Sequence, residues 1–243
     1  MNTPTRYIMV LTLVLCAGIG ETEAAGSESM EVSLNGWYAG LRGDLTVNGY
    51  HTHFVQEAGD LFQDLDLGGS LSILARNNKM IWLGSIDYFK SISSEVMVGN
   101  QPGTLETEEM IGLLAAGWPL SASGGTSVDF LAGIQILRMD NELKLVGGTT
   151  SSSDADLYDP VIILLVRQQL GDRLQIYVPL SIGGYLGDAD LLYSAELQLQ
   201  FQATDRFDVR GGYRVVGYDY EANASNALEY FQAGWVLGVG ARF

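Results

Sequence analysis

The chain has 243 residues, long enough for one domain, and its 13 Lys and Arg against 29 Asp and Glu leave a formal charge of -16. That acid excess excludes nucleic acid as a partner, because such affinity comes from neutralising phosphates with basic side chains. Cys16 is the only cysteine. It falls in the leader described next, so the rest of the chain is expected to have no disulfide and no thiolate metal site.

Residues 1–24 read as a secretory signal peptide. Arg6 precedes an apolar run from Ile8 to Ile19, and Thr22-Glu23-Ala24 offers a small-residue cleavage site before Ala25. The run is shorter than the ~20 residues a spanning helix needs. Leu15 stands where a small residue would precede a lipidated cysteine, which disfavours a lipoprotein signal at Cys16. Residues 25–243 then form a single exported domain. No later run is long enough for a spanning helix, and the longest strongly apolar stretch, Val161–Val166, has strand length. Any membrane-spanning form must therefore be a closed barrel, because open backbone in lipid is too costly.

Period-two alternation recurs along the chain and predicts ten strands, at 36–48, 69–76, 80–94, 104–119, 126–142, 156–170, 173–186, 190–204, 206–220 and 228–243. In the first, Trp37, Ala39 and Leu41 alternate with Tyr38, Gly40, Arg42, Asp44 and Thr46. Before the second, 59–66 predicts a short helix, with Asp60 as cap, Gln63 at the third helical position and Gly68-Gly69 as the stop. The later strands alternate more sharply. Tyr193, Ala195, Leu197, Leu199 and Phe201 oppose Ser194, Glu196, Gln198 and Gln200. Phe231, Ala233, Trp235, Leu237, Val239, Ala241 and Phe243 oppose Tyr230, Gln232, Gly234, Gly238, Gly240 and Arg242.

A soluble sandwich alternates too. Export, large aromatic faces and polar faces rich in Gly, Gln, Arg and Asp favour the inverted arrangement, with the apolar set on lipid and the polar set inside. Links alternate between short turns, such as Gly171-Asp172 and Thr204-Asp205, and longer loops, the longest at 49–68 and 143–155. The 187–189 link is short for an outer loop. Trp37, Trp82, Trp118, Phe201, Phe207 and Phe243 fall near the short-turn ends, as an interfacial aromatic girdle would. The expected fold class is all-β, an antiparallel up-and-down transmembrane β-barrel of ten strands in the bacterial cell outer membrane. An eight-stranded barrel without the weak 69–76 strand and one neighbour is the alternative.

Several stretches resemble a family of small bacterial outer-membrane β-barrel proteins, broadly similar to OmpA and OmpW membrane domains. They are Trp82–Tyr88, Val128-Asp129-Phe130-Leu131-Ala132-Gly133, Asp159-Pro160, Ile182-Gly183-Gly184-Tyr185, Gly212-Tyr213-Arg214, Tyr218-Asp219-Tyr220 and the ending Gly238-Val239-Gly240-Ala241-Arg242-Phe243. The short helix before the second strand belongs to the same resemblance, which covers most of the chain after the leader. It implies a terminal signal, carried by Gly238, Ala241 and Phe243, for the barrel-assembly machinery. Val236 stands where that signal has a polar residue, and Gln135 where the family usually has a basic one. The resemblance brings no catalytic assignment.

The inward set is expected to hold Arg42, Asp44, Asp87, Asp129, Asp159, Arg167, Glu196, Asp208, Arg210 and Arg214. Charges in a narrow lumen must be paired or wet, so the primary expectation is a network that fills the interior. The structural or surface-interaction role then lies outside the lumen. The alternative is a narrow path for small ions or solutes, favouring cations. An enzyme is not expected; the third and least favoured reading is an outer-membrane barrel enzyme using the His51/His53 loop. The only histidines, His51 and His53, sit in the first long link, and no Gly-x-Ser-x-Gly elbow accompanies them. No cofactor or metal is implied. Outer-leaflet divalent cations at Asp154, Asp156, Asp159, Asp188 and Asp190 are a weaker reading than plain acidic loops.

Overall fold

The computed structural model describes residues 28–47, 50–56, 68–77, 79–98, 101–123, 125–148, 150–223 and 226–243. The expected signal peptide and the expected helix at 59–66 lie outside these residues. The strands are β1 (Ser29–Val47), β2 (Tyr50–Gln56), β3 (Gly68–Arg76), β4 (Ile81–Val98), β5 (Gln101–Ser123), β6 (Thr126–Leu145), β7 (Thr150–Gln169), β8 (Leu174–Gly183), β9 (Leu191–Gln202), β10 (Phe207–Asn223) and β11 (Asn226–Arg242). They form one sheet in the order β11-β10-β9-β8-β7-β6-β5-β4-β3-β1-β2, and β11 also pairs with β1, which closes it.

Ser29–Trp37 of β1 pairs with β3, whereas Leu41–Val47 pairs with β2. The two short strands thus share one place in the wall, and 11 segments make a ten-stranded antiparallel barrel. The eight-stranded alternative fails on β3, which carries full ladders to both β1 and β4. β2 was not expected, because Tyr50-His51-Thr52-His53-Phe54-Val55-Gln56 lacks a clean apolar face. It moves His51 and His53 from a loop into a strand, opposite Thr46 and Asp44.

The strands differ greatly in length. β8 and β9 have 10 and 12 residues, close to the ~9–11 that span a bilayer. β4 to β7 have 18, 23, 20 and 20 residues. Half of that wall therefore projects beyond the lipid at the long-loop end, and the alternation reverses sign there. On β6, Ile134 and Ile136 point out and are exposed, while Asp129 is buried inside. Four residues further up, Arg138 and Asp140 point out, and Leu137 and Met139 are buried inside. β10 does the same: Phe207, Val209 and Tyr213 outside give way to Asp219 and Glu221, and Asp208 and Arg210 inside give way to Val216 and Tyr218. The cause is the solvent. In lipid the outer face must be apolar; in water the hydrophobic effect drives the same side chains inward.

This reversal corrects the first strand. Trp37 is 4% exposed and points inward with Ala39 and Leu41, whereas Leu34 and Arg42 are exposed outside. Trp37 is therefore no part of the aromatic girdle, and Arg42 and Asp44 do not line the lumen. Both faces of β1 carry apolar residues because it crosses the boundary between the two environments.

Candidate functional site

At the short-turn end the lumen is held by charge. Asp129, fully buried on β6, accepts from Arg76 at the end of β3 and from Arg167 on β7 at 3.3 Å. One carboxylate thus ties three strands. Arg210 donates to Asp208 at 2.6 and 2.8 Å and to Glu31 at 2.9 Å, and Arg242 lies 3.4 Å from Glu31. A side chain at Gly240 would collide with the Arg210 guanidinium, so glycine there lets that group lie across the floor. One level higher, Arg214 donates to Asp87 at 2.5 Å and covers the Trp37 ring at 4.7 Å. A polar chain runs beside them. Gln175 donates to Gln200, Gln200 to Gln198, and Gln198 to Glu196. Between these groups lies a cavity of about 120 Å³, lined by Ser33, Asn35, Ser72, Asp87, Glu196 and Arg214 among others.

Above it the interior becomes apolar. Leu41, Phe89, Leu105, Leu137, Met139 and Leu157 are buried together, and Tyr218 stacks on Tyr230 at 5.2 Å. Glu109 is 2% exposed within this layer and accepts the Tyr230 hydroxyl at 2.6 Å. Gln135 donates to the Tyr218 hydroxyl, which joins the two levels.

Of the charged residues expected inside, Asp87, Asp129, Asp159, Arg167, Glu196, Asp208, Arg210 and Arg214 face the lumen. Arg42 instead lies over the outward Phe231 ring at 4.6 Å. Asp44 shares that outward parity, opposite the exposed Glu229. Asp159 pairs with no arginine in the described contacts; it accepts the Ala189 N–H at 2.8 Å. Sequence reasoning missed Glu31, Arg76 and Glu109. Arg76 was findable by parity, since it shares a face with Ser72 and Leu74, whereas Glu31 and Glu109 are placed by register, opposite Arg242 and Phe89. Gly238 faces Asn35 inside, whereas Phe243 is 70% exposed and its N–H donates to Met30. Trp82, Trp118, Phe201, Phe207 and Phe243 are exposed outside, as a girdle requires.

The projecting rim is acidic. Glu106, Glu108, Asp140, Glu142, Asp154 and Asp156 line an open groove of about 520 Å³ along β5 to β7 with Arg138, and Lys144 reaches Glu142 at 3.1 Å and Glu106 at 3.5 Å. Lys90 lies 2.5 Å from Glu106, and Arg138 lies 2.7 Å from Asp156. These hydrogen bonds hold both carboxyls below their ordinary range. The short β8–β9 loop is a built cap. Gly184 and Tyr185 bend it through φ values of 91° and 56°. Asp188 accepts the Tyr158 N–H at 2.8 Å, and Asp190 accepts the Glu221 N–H at 3.1 Å. Three of the acids once considered for divalent ions are therefore engaged with backbone. Among the described residues, no group of three or more His, Cys, Asp or Glu is arranged to hold a metal.

No family model and no curated protein matches the sequence. Solved structures do. The outer membrane protease OmpT from Escherichia coli aligns with a TM-score of 0.62 at 9% identity, covering 91% of this chain and 99% of that one. Ail, the attachment invasion locus protein of Yersinia pestis, aligns over 90% of this chain and 100% of its own with a TM-score of 0.39 at 17% identity, too low a score to weigh. Neither neighbour is an OmpA or OmpW domain, and that finer resemblance is carried no further. Closed topology, apolar outer belt and the OmpT alignment together identify the fold as that of the bacterial outer-membrane β-barrel proteins.

Proposed function

We propose that this barrel is closed to solutes and acts through its long-loop rim, which faces the cell exterior. One observation carries this: the lumen is filled twice, by different chemistry at different heights. Ion pairs centred on Asp129, Arg210 and Arg214 cross it below. An apolar layer around Phe89, Leu137 and Tyr218 crosses it above. A packed apolar layer is a barrier to ions even where the charged layer holds water. Export by the leader and insertion through the strand ending at Phe243 fit the same role. Refolded protein in planar bilayers is expected to give no conductance steps, and reproducible steps would overturn the proposal.

A narrow cation path is the second reading. It is favoured by the 120 Å³ cavity, where Glu31, Asp87 and Glu196 outnumber Arg210 and Arg214. It requires cation-selective steps in the same recordings, reduced in Glu196→Gln.

A further inference from the structure

We infer that the upper edge of β7, Thr150–Leu157, is a docking site for an extended basic polypeptide segment that adds to it as a strand. This rests on the surface-interaction part of the function proposed above. β8 stops at Gly183, opposite Val161, while β7 continues to Thr150. On its other side β6 accompanies β7 all the way, to Lys144 opposite Thr150. Among the described residues, Thr150–Leu157 therefore has one strand neighbour and one open edge.

The open edge has a definite polarity. The Tyr158 N–H donates to Asp188, and the Tyr158 carbonyl accepts from the Asp188 N–H at 3.3 Å. Both groups of Tyr158 thus point away from β6. Backbone groups alternate with a period of two in an antiparallel strand. Asp156, Asp154 and Ser152 therefore also turn their N–H and C=O groups to the open side. Among the described hydrogen bonds, the β8–β9 loop meets this edge at Tyr158. A row of evenly spaced donors and acceptors matches one ligand shape, another strand.

Charge selects among strands. The six carboxylates of the groove beside this edge meet three cations, Arg138 within it and Lys90 and Lys144 pairing with Glu106 and Glu142, which leaves a net acid excess. Asp154 and Asp156 stand on the edge strand itself, exposed. A second copy pairing through the same edge would bring these carboxylates face to face, and like charges opposite one another are destabilising. Anionic headgroups are repelled for the same reason. A segment with basic side chains at alternate positions meets the carboxylates and the backbone at once.

The test uses the folded barrel in detergent micelles and a fluorescent peptide of alternating lysine and threonine. One twin carries glutamate for lysine; another is N-methylated at alternate residues, which blocks strand addition. Only the unmodified lysine peptide is expected to bind, more weakly as salt rises. Asp140→Asn with Asp154→Asn should weaken it by about tenfold. Ser152→Pro should weaken it as much while the barrel keeps its heat-dependent gel mobility, since that N–H serves no β6–β7 bond. Equal binding of the methylated twin, or no binding of the lysine peptide, overturns the inference. So do cross-linked dimers that disappear in Ser152→Pro, because they make a second copy the occupant. A conducting barrel that binds the peptide defeats the closed-lumen proposal alone; a silent barrel that ignores the peptide defeats the docking edge alone.

Discussion

The lower and upper halves of this wall follow opposite rules. Below, Leu197, Leu199 and Phe201 face out, and Gln198 and Gln200 are buried. Above, Glu106 and Glu108 face out, and Leu105 is buried. Backbone geometry is continuous across the boundary, since β4 to β7 run through both halves without a break in strand assignment. What changes is the medium around the wall. Each of these four strands carries two sequence codes joined end to end, one for lipid and one for water. The lower half must satisfy charges inside a narrow space, and the upper half packs like the core of a soluble protein.

Breaking each half should therefore cost free energy through a different mechanism. The largest effect is expected for Asp129→Ala, which leaves Arg76 and Arg167 facing each other without their shared carboxylate. Removing one partner from a buried ion group costs about 3–5 kcal/mol, and the partial exposure of the two arginines puts this case at the lower end. Urea unfolding in micelles measures it, with Asp129→Asn as the milder companion. A loss no larger than that of a rim substitution would mean that the lower lumen is not held by charge. Leu137→Ala comes next. Leu137 is 1% exposed in the upper layer, and truncating a buried leucine costs about 2–4 kcal/mol through lost transfer energy and a cavity. Its cost should be insensitive to salt. A strong salt dependence would break the division between the halves.

The same division explains what the sequence made legible. All ten expected strands are present, because period-two alternation survives whichever face is apolar. Facing was readable where one environment holds along the strand, as on β9, where every expected inward residue from Ser194 to Gln200 is inside. It failed on β1. There Trp37, Ala39 and Leu41 look lipid-facing, and Arg42 and Asp44 look lumenal, only if the strand is assumed to stay in the membrane. The lumen partners were legible as residue types but not as pairs. That Asp129 serves both Arg76 and Arg167 depends on register across three strands, which alternation does not encode. The acids around the β8–β9 loop show the same limit of alternation. Asp188 and Asp190 read as exposed carboxylates, yet their oxygens cap N–H groups of residues 30 and 31 positions away.

The smallest expected effect concerns the rim and sharpens the contrast with the belt. Glu106 and Asp156 titrate below their ordinary values of 4.5 and 3.8 because Lys90 and Arg138 hydrogen-bond them. A carboxyl whose folded value is depressed adds stability that is fully present above the unfolded value and is lost as pH falls through the folded one. Acidification below about pH 4 should thus loosen the β5–β7 projection, where these pairs sit in water. The belt strand β9 has outward Leu197, Leu199 and Phe201 and offers no such outward pair. Backbone hydrogen exchange, corrected for its intrinsic pH dependence, should rise around Glu106–Glu108 and Asp154–Asp156 and stay flat across Leu197–Phe201. The effect should be slight and should shrink in high salt, because exposed ion pairs are weak and screened. Equal loosening of both segments would mean that the projection and the belt unfold as one unit, so that the change of sequence code along each strand leaves no boundary in stability.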